Sequence, residues 1–226
     1  MTGNNRLFVL LCVVAAPLVT LGWTFPSAPA GKRGQVELAV FRGFDLGSLF
    51  GGSSSSKLAA DETAQERERA RNELLELFQS SQKVKRSAVE EKIQALAAFS
   101  PVKETAASPL LQKEWNLLWT TEKEINFFLD FGLASAVSQT INGVDLGNTI
   151  AFKRGGGLFV KGTLSIPDPS GMRTEFKFDT ATLDLAKWGS YDFPPVGEGW
   201  FDTIYLDDSL RVDTNSRDDI LICTPA

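Results

Sequence analysis

Beyond Trp115 the hydrophobic pattern changes to a period of two and keeps it almost to the C-terminus, which restricts that part of the chain to an all-β arrangement. The candidate strands are 115–121, 125–131, 136–142, 149–153, 158–166, 173–178, 182–188, 201–206 and 220–223. Turn residues separate most of them: Asn142-Gly143, Gly155 to Gly157, Pro167 to Gly171 and Asp213 to Asp219. Short strands at such spacing, with no helical pattern between them, predict a sandwich or a barrel. Of the two, a barrel removes the unpaired sheet edges.

Before the strands the period is helical. Thr63 with Glu66 reads as a capping box, and the charged stretch from Glu66 to Asn72 leads into Leu74, Leu75, Leu77 and Phe78. A second helix starts at Ser87, carries Val89, Ile93, Leu96 and Ala97 at helical spacing, and stops before Pro101. The two predict an α-helical hairpin over about 61–100 ahead of strands at about 111–223. Its charged first turns read as a solvated face or as a contact for a partner.

The N-terminal residues read as an address. Leu7 to Trp23 is a 17-residue mostly apolar run after Arg6, interrupted by Pro17, Thr20 and Gly22. It is short for a membrane span, so 1–23 reads as a signal peptide, with an uncleaved anchor as the alternative. Residues 24–57 are basic and contain a Gly/Ser tract, which is transit-peptide composition or a flexible linker. The folding domain is therefore expected at 58–226. The net charge of −5 divides accordingly: five Lys/Arg against two Asp/Glu up to Lys57, and −8 beyond it. An acidic body gives no support to nucleic-acid binding.

The chemistry available is narrow. The 226 residues include no histidine, which removes histidine bases, Ser-His-Asp triads and histidine-ligated metals. The two cysteines, Cys12 and Cys223, build neither a metal site nor a disulfide framework. Gly155-Gly156-Gly157 lacks both a Walker lysine and a following helix, and reads as a hairpin turn. The pairs Asp207-Asp208 and Asp218-Asp219 read as solvated turns, because adjacent strand residues point to opposite faces. No catalytic residue, cofactor or metal is expected. Aromatics are concentrated in the strands, and by parity Trp115 with Trp119, Phe176 with Phe178, and Phe201 with Thr203 and Tyr205 share faces. Such a face is either packed core or the wall of an apolar cavity.

The segment Leu111-Gln112-Lys113-Glu114-Trp115-Asn116-Leu117-Leu118-Trp119-Thr120-Thr121 resembles the opening strand of the plastid lipid-associated protein (PAP/fibrillin) family, Leu-x-Gly-x-Trp-x-Leu-x-Tyr-Thr. Residues 199–212, from Gly199-Trp200 through Thr203, Tyr205-Leu206-Asp207 and Leu210-Arg211-Val212, are similar to its closing signature, Gly-Trp-x-x-Thr-x-Tyr-Leu-Asp-x-x-Leu-Arg-Ile. With the two helices and the Ser100-Pro101 step, the resemblance covers about 65–223. It implies a mainly β fold, a lipocalin-like antiparallel β-barrel after the helical hairpin. It also implies a non-enzymatic plastid protein that binds or organises prenylquinones, tocopherols, carotenoids or fatty acids at thylakoids or plastoglobules. The alternative is a scaffold that coats lipid bodies or docks on a photosynthetic complex or enzyme without an internal ligand. Implied partners are an apolar lipid or isoprenoid, a peripheral membrane or lipid-body surface, and a plastid protein.

The address then resembles the bipartite presequence of complex plastids, with the Phe25-Pro26-Ser27-Ala28-Pro29 run as its phenylalanine motif. Trp115, Trp119, Phe176, Phe178, Trp200, Thr203, Tyr205 and Arg211 are expected to line the barrel or its mouth. Arg211 is expected to pair with Asp207 or Asp202 there, where a ligand headgroup competes for it. Leu117, Thr120, Thr121, Gly199, Asp202, Leu206, Asp207 and Leu210 are expected to be structural. The chain departs from the pattern at Lys113 in place of glycine, at Trp119 in place of tyrosine, and in the acidic stretch after Arg211.

Overall fold

The computed structural model describes residues 54–80, 83–194 and 197–226. The segment 1–23, and 24–57 up to Ser53, lie outside the described residues. The chain divides into two compact units, Met1–Glu62 and Thr63–Ala226; the second holds all the strands, and its first helix begins before the boundary.

Two helices precede the strands, α1 (Ser54–Glu76) and α2 (Arg86–Ala97). The first opens at Ser54, so Thr63 lies inside it and the Thr63–Glu66 pair is not its cap. The second opens after Lys85, one residue earlier than expected, with no side-chain cap. Val89, Ile93 and Leu96 form the apolar stripe of α2. With Leu74 of α1 they pack against Tyr205, Leu210, Val212, Ile220 and Ile222 of the sheet. Each such buried side chain stabilises the fold by about 1.5–3 kcal/mol. A salt bridge from Lys92 to Glu73 joins the helices at 2.9 Å.

Nine strands form one antiparallel sheet: β1 (Glu114–Thr120), β2 (Ala134–Asn142), β3 (Asp145–Phe152), β4 (Gly157–Ser165), β5 (Arg173–Asp184), β6 (Ser190–Phe193), β7 (Glu198–Leu206), β8 (Arg211–Asn215) and β9 (Ile220–Pro225). The order is β4-β3-β2-β1-β9-β8-β7-β5-β6, and β4 also pairs with β5. That last pairing closes eight strands into a ring and leaves β6 on the far half of β5. The strands expected separately at 173–178 and 182–188 are one strand, β5, which stops at Asp184; Ala186–Trp188 is a 3-10 turn and not strand. Gly162 faces the register shift between β4 and β5, where a Cβ would lie 2.4 Å from the Lys177 carbonyl oxygen.

The expected strand 125–131 is instead a helix, α3 (Lys123–Asp130). Phe127, Phe128 and Phe131 satisfy helical spacing as well as alternation, and the Phe127 ring packs tilted against that of Phe131 at 4.7 Å between centroids. Gly132, at φ +64°, ends the helix: its amide donates to Leu129, and that of Leu133 donates to Phe128. This is a Schellman cap. Two strands were not expected, β6 and β8. Residues 213–215 belong to β8 and not to the turn, which begins at Ser216.

Candidate functional site

The contacts between non-adjacent strands identify the inner face of the ring. Arg211 on β8 donates through Nη2 to Gln139 Oε1 on β2, although β9 and β1 stand between those strands. Ile141 on β2 and Leu146 on β3 cluster with Phe201 of β7, Phe176 and Phe178 of β5 and Leu164 of β4. Strand alternation then carries Val137, Ile150, Leu158 and Val160 onto the same inner wall.

The ring interior has two halves. Along β1, β7, β8 and β9 the inward side chains Trp115, Phe201, Thr203, Leu206, Arg211, Asp213 and Cys223 are buried, with Leu117 and Leu221 partly buried beside them. Along β2 to β5, Val137, Gln139, Asn148, Ile150, Leu158, Val160, Leu164, Phe176 and Phe178 keep partial access to solvent. Ile141, Leu146, Ala181 and Leu183 of the same strands are buried, so this second half is an apolar wall, covered in part, with one polar pair in it.

Arg211 does not pair with Asp207 or Asp202. Its Nη2 lies 2.9 Å from Asp213 Oδ2, two residues along β8 on the same face, and both side chains are 2% exposed or less. Asp213 also accepts from Thr203 Oγ1 at 2.7 Å. Burial raises the Asp213 carboxyl above its ordinary range, against the opposing influence of Arg211 and Thr203. The guanidinium carbon stands 5.2 Å from the Trp115 ring centre and 5.8 Å from that of Phe201. Nε, Nη1 and the hydroxyl of Thr174 are buried without a hydrogen-bond acceptor or donor partner among the described residues. Burial pushes the Cys223 thiol up to about 11, so it is an inert core group. The other two acids bond elsewhere: Asp202 takes both ends of Arg173 at 2.8 Å, and Asp207 accepts from Tyr205 Oη.

Two bulges overturn the parity expected from the sequence. A register shift between Leu117 and Trp119 turns Trp119 away from Trp115 and onto the helices, 5.8 Å from the Phe78 ring. Another between Thr203 and Tyr205 leaves Phe201 and Thr203 inside and sends Tyr205 into the helix-packed cluster. An extra residue on one strand inverts every side chain beyond it. Trp200 faces away from Phe201, under the Arg173 guanidinium at 3.6 Å. Phe176 and Phe178 do share a face, with ring centres 4.8 Å apart. Of the eight expected lining residues the structure thus places Trp115, Phe176, Phe178, Thr203 and Arg211 inward. Gln139, Asn148 and Asp213 are inward polar residues that the motifs did not indicate. The available signal was a polar residue at the centre of an apolar alternation, Val137-Gln139-Ile141 and Leu146-Asn148-Ile150.

The PAP_fibrillin family model matches residues 69–224, which take in the last third of α1, all of α2 and the strands to within a residue of the end of β9. The chain belongs to the PAP/fibrillin family. It is 33% identical over 169 residues to the probable plastid-lipid-associated protein 11, chloroplastic, of Arabidopsis thaliana, an alignment covering 69% of this chain and 78% of the relative. No solved structure matches.

Several PAP/fibrillin signature residues make contacts between neighbouring strands or with the helices. Thr120 Oγ1 donates to the Ile220 carbonyl at 2.8 Å, and Thr121 Oγ1 bonds Asp219 and the Ile220 amide, both at 2.9 Å, so β1 clasps the start of β9. Leu117 and Leu206 pack with Leu111, Trp115 and Cys223, and Leu210 packs under α1 and α2. A Cβ on Gly199 would meet the Phe176 ring at 2.9 Å, so the glycine makes room for an inward aromatic. Lys113, in place of the family glycine, lays its Nζ over the Trp115 ring at 5.0 Å. Among the described residues no group of three acids or cysteines is placed to hold a metal.

Proposed function

We propose that the ring is a lipocalin-like β-barrel that holds an apolar lipid, such as a prenylquinone, tocopherol, carotenoid or fatty acid, in a plastid, without catalysing a reaction. The observation that carries this reading is the accessible apolar wall of β2 to β5 facing into a closed ring of strands. Family membership and the chloroplastic relative support the plastid, which the bipartite character of residues 1–57 would reach. The two helices pack on the outside of the buried half as a hairpin and leave the open half free. Purifying the protein from its native membranes, extracting it with organic solvent and identifying the extract by mass spectrometry tests the proposal. An apolar lipid in near-stoichiometric amount is expected. A lipid-free protein would favour the second reading, a scaffold, which the largely buried β1/β7/β8/β9 half also supports.

The working place in this reading is a thylakoid or plastoglobule surface. Among the described residues no helix is long and apolar enough to cross a membrane. Three connections lie at one end of the barrel: α3 to β2, β3 to β4, and β5 to β6. They touch, since the Lys153 amide donates to the Leu133 carbonyl and a Cβ on Gly155 would lie 3.6 Å from that of Ala186. Phe131 at 69% exposure, Trp188 at 56%, Leu129, Leu133 and Tyr191 protrude there beside the exposed cations Lys153, Arg154 and Lys187. Aromatic rings among lysines and arginines suit a lipid interface.

A further inference from the structure

The inner faces of β2 and β3 are apolar from Val137 to Ile141 and from Leu146 to Ile150 except at one facing pair, Gln139 and Asn148. Two amides in an apolar wall carry a desolvation cost unless their hydrogen bonds are made. Donor and acceptor inventories fix how they are made here. A guanidinium has donors only, so Arg211 must meet the oxygen of Gln139, as it does. Gln139 then has only its amide nitrogen to offer Asn148, and Nε2 donates to Asn148 Oδ1 at 2.9 Å. The oxygen of Asn148 is engaged toward β2, and its neighbour across on β4 is Val160. No side-chain acceptor is present on Val160, and Nδ2 donates to no acceptor among the described residues. Asn148 sits on the open half of the ring and is itself only partly buried.

We propose that Asn148 Nδ2 is the polar receptor of the interior, and that it takes the uncharged carbonyl oxygen of an apolar molecule, a quinone or an acyl ester. This rests on the reading of the ring as a lipid holder and specifies the head it accepts. The buried ion pair Arg211–Asp213 is the anchor that orients the two amides. Its charges cancel, so a carboxylate head would bring an unmatched charge into an apolar enclosure, whereas a carbonyl would not. One outward amide donor matches one carbonyl oxygen.

Competition against a fluorescent apolar probe, with the purified protein and four competitors, tests this: a decyl-substituted benzoquinone, methyl laurate, laurate and decylbenzene. The quinone or the ester is expected to compete at about tenfold lower concentration than decylbenzene and laurate, the scale of one net hydrogen bond. Which of the two competes better tells the quinone source from the acyl source. Equal competition by decylbenzene would overturn the receptor and leave the lipid holder standing; tighter binding of laurate would overturn it in favour of a charged head. Failure of all four would remove the lipid holder as well. In Asn148→Asp the acceptor for Gln139 is kept and the outward donor is lost. Within that variant the carbonyl compounds should lose about tenfold relative to decylbenzene, so that their advantage over the hydrocarbon disappears. Unchanged carbonyl binding by a folded Asn148→Asp would also overturn the proposal. If that variant does not fold, the four competitors on the natural protein decide alone.

Discussion

The carboxylate of Asp207 accepts hydrogen bonds from the Ser209 and Leu210 amides at 2.7 and 2.8 Å and from the Tyr205 hydroxyl, while Arg71 of α1 stands 3.6 Å away. Burial works against its charge, but these donors outweigh it and hold its carboxyl below the ordinary range. Its stabilising contribution is therefore present above the ordinary carboxylate pKa of about 3.9 and is lost as pH falls through the lower folded value. Asp213 and Glu122, both raised by burial, act in the opposite sense and favour the fold on protonation. Asp207→Asn should cost about 1.5–3 kcal/mol near neutral pH, the range for hydrogen bonds to a charged group. The difference from the natural protein should shrink toward pH 2. Urea titrations at both pH values measure it, and an unchanged gap would assign the effect to packing. Gly199→Ala forces the Phe176 ring or Ser216 Oγ, each 2.9 Å from the new methyl, to move. An overpacking loss of about 1–3 kcal/mol is expected in the same titration.

At the level of elements, the bulges in β1 and β7 decide which side chains serve the ring and which serve the helices. Because of them, Trp119 and Tyr205 face outward to the cluster built on Leu74, Val89, Ile93 and Leu96. The helices and the ring then share one core, and Leu96→Ala, at a fully buried position, should cost about 2–5 kcal/mol. Thermal melts followed by helical circular dichroism and by tryptophan fluorescence should shift together; separate transitions would mean that the helices dock as an independent unit. The alternation that marks β1 to β5, β7 and β9 is readable along the chain because inward positions there are mostly apolar. β8 is not, since Arg-Val-Asp-Thr-Asn places its ion pair inward and so imitates a solvated turn. α3 is ambiguous because adjacent phenylalanines fit both periods, and only Gly132 marks its end. A bulge has no composition of its own, so the two aromatic pairs it divides look continuous in sequence. Within the site, the motif located Arg211, but its partners come from β2 and from its own strand, a matter of closure and not of local pattern.

The whole molecule is acidic, with −8 beyond Lys57, so an anionic membrane repels most of its surface and tolerates contact only where cations and apolar groups coincide. The end bearing Phe131, Trp188, Lys153, Arg154 and Lys187 meets that condition. Its acids are engaged: Asp130 with Lys83 at 3.1 Å, Asp184 with the Ala186 amide at 2.8 Å and Asp192 with Thr182 at 2.7 Å. The same end carries the turns that close β3 onto β4 and β5 onto β6, so a membrane bound there would face the open half of the ring end-on. Burying both rings in the interface removes two large apolar surfaces from water, each worth up to about 1.5–3 kcal/mol when complete. Phe131→Ser with Trp188→Ser should therefore weaken binding to vesicles of phosphatidylcholine and phosphatidylglycerol by about tenfold or more. Both positions are exposed, so the melting temperature and the competition with the fluorescent apolar probe should stay as in the natural protein. Cosedimentation at low and high salt separates the two contributions. A loss on raising salt reports the cations, and what persists reports the rings. Full retention of binding by the double variant would move the attachment surface elsewhere on the molecule.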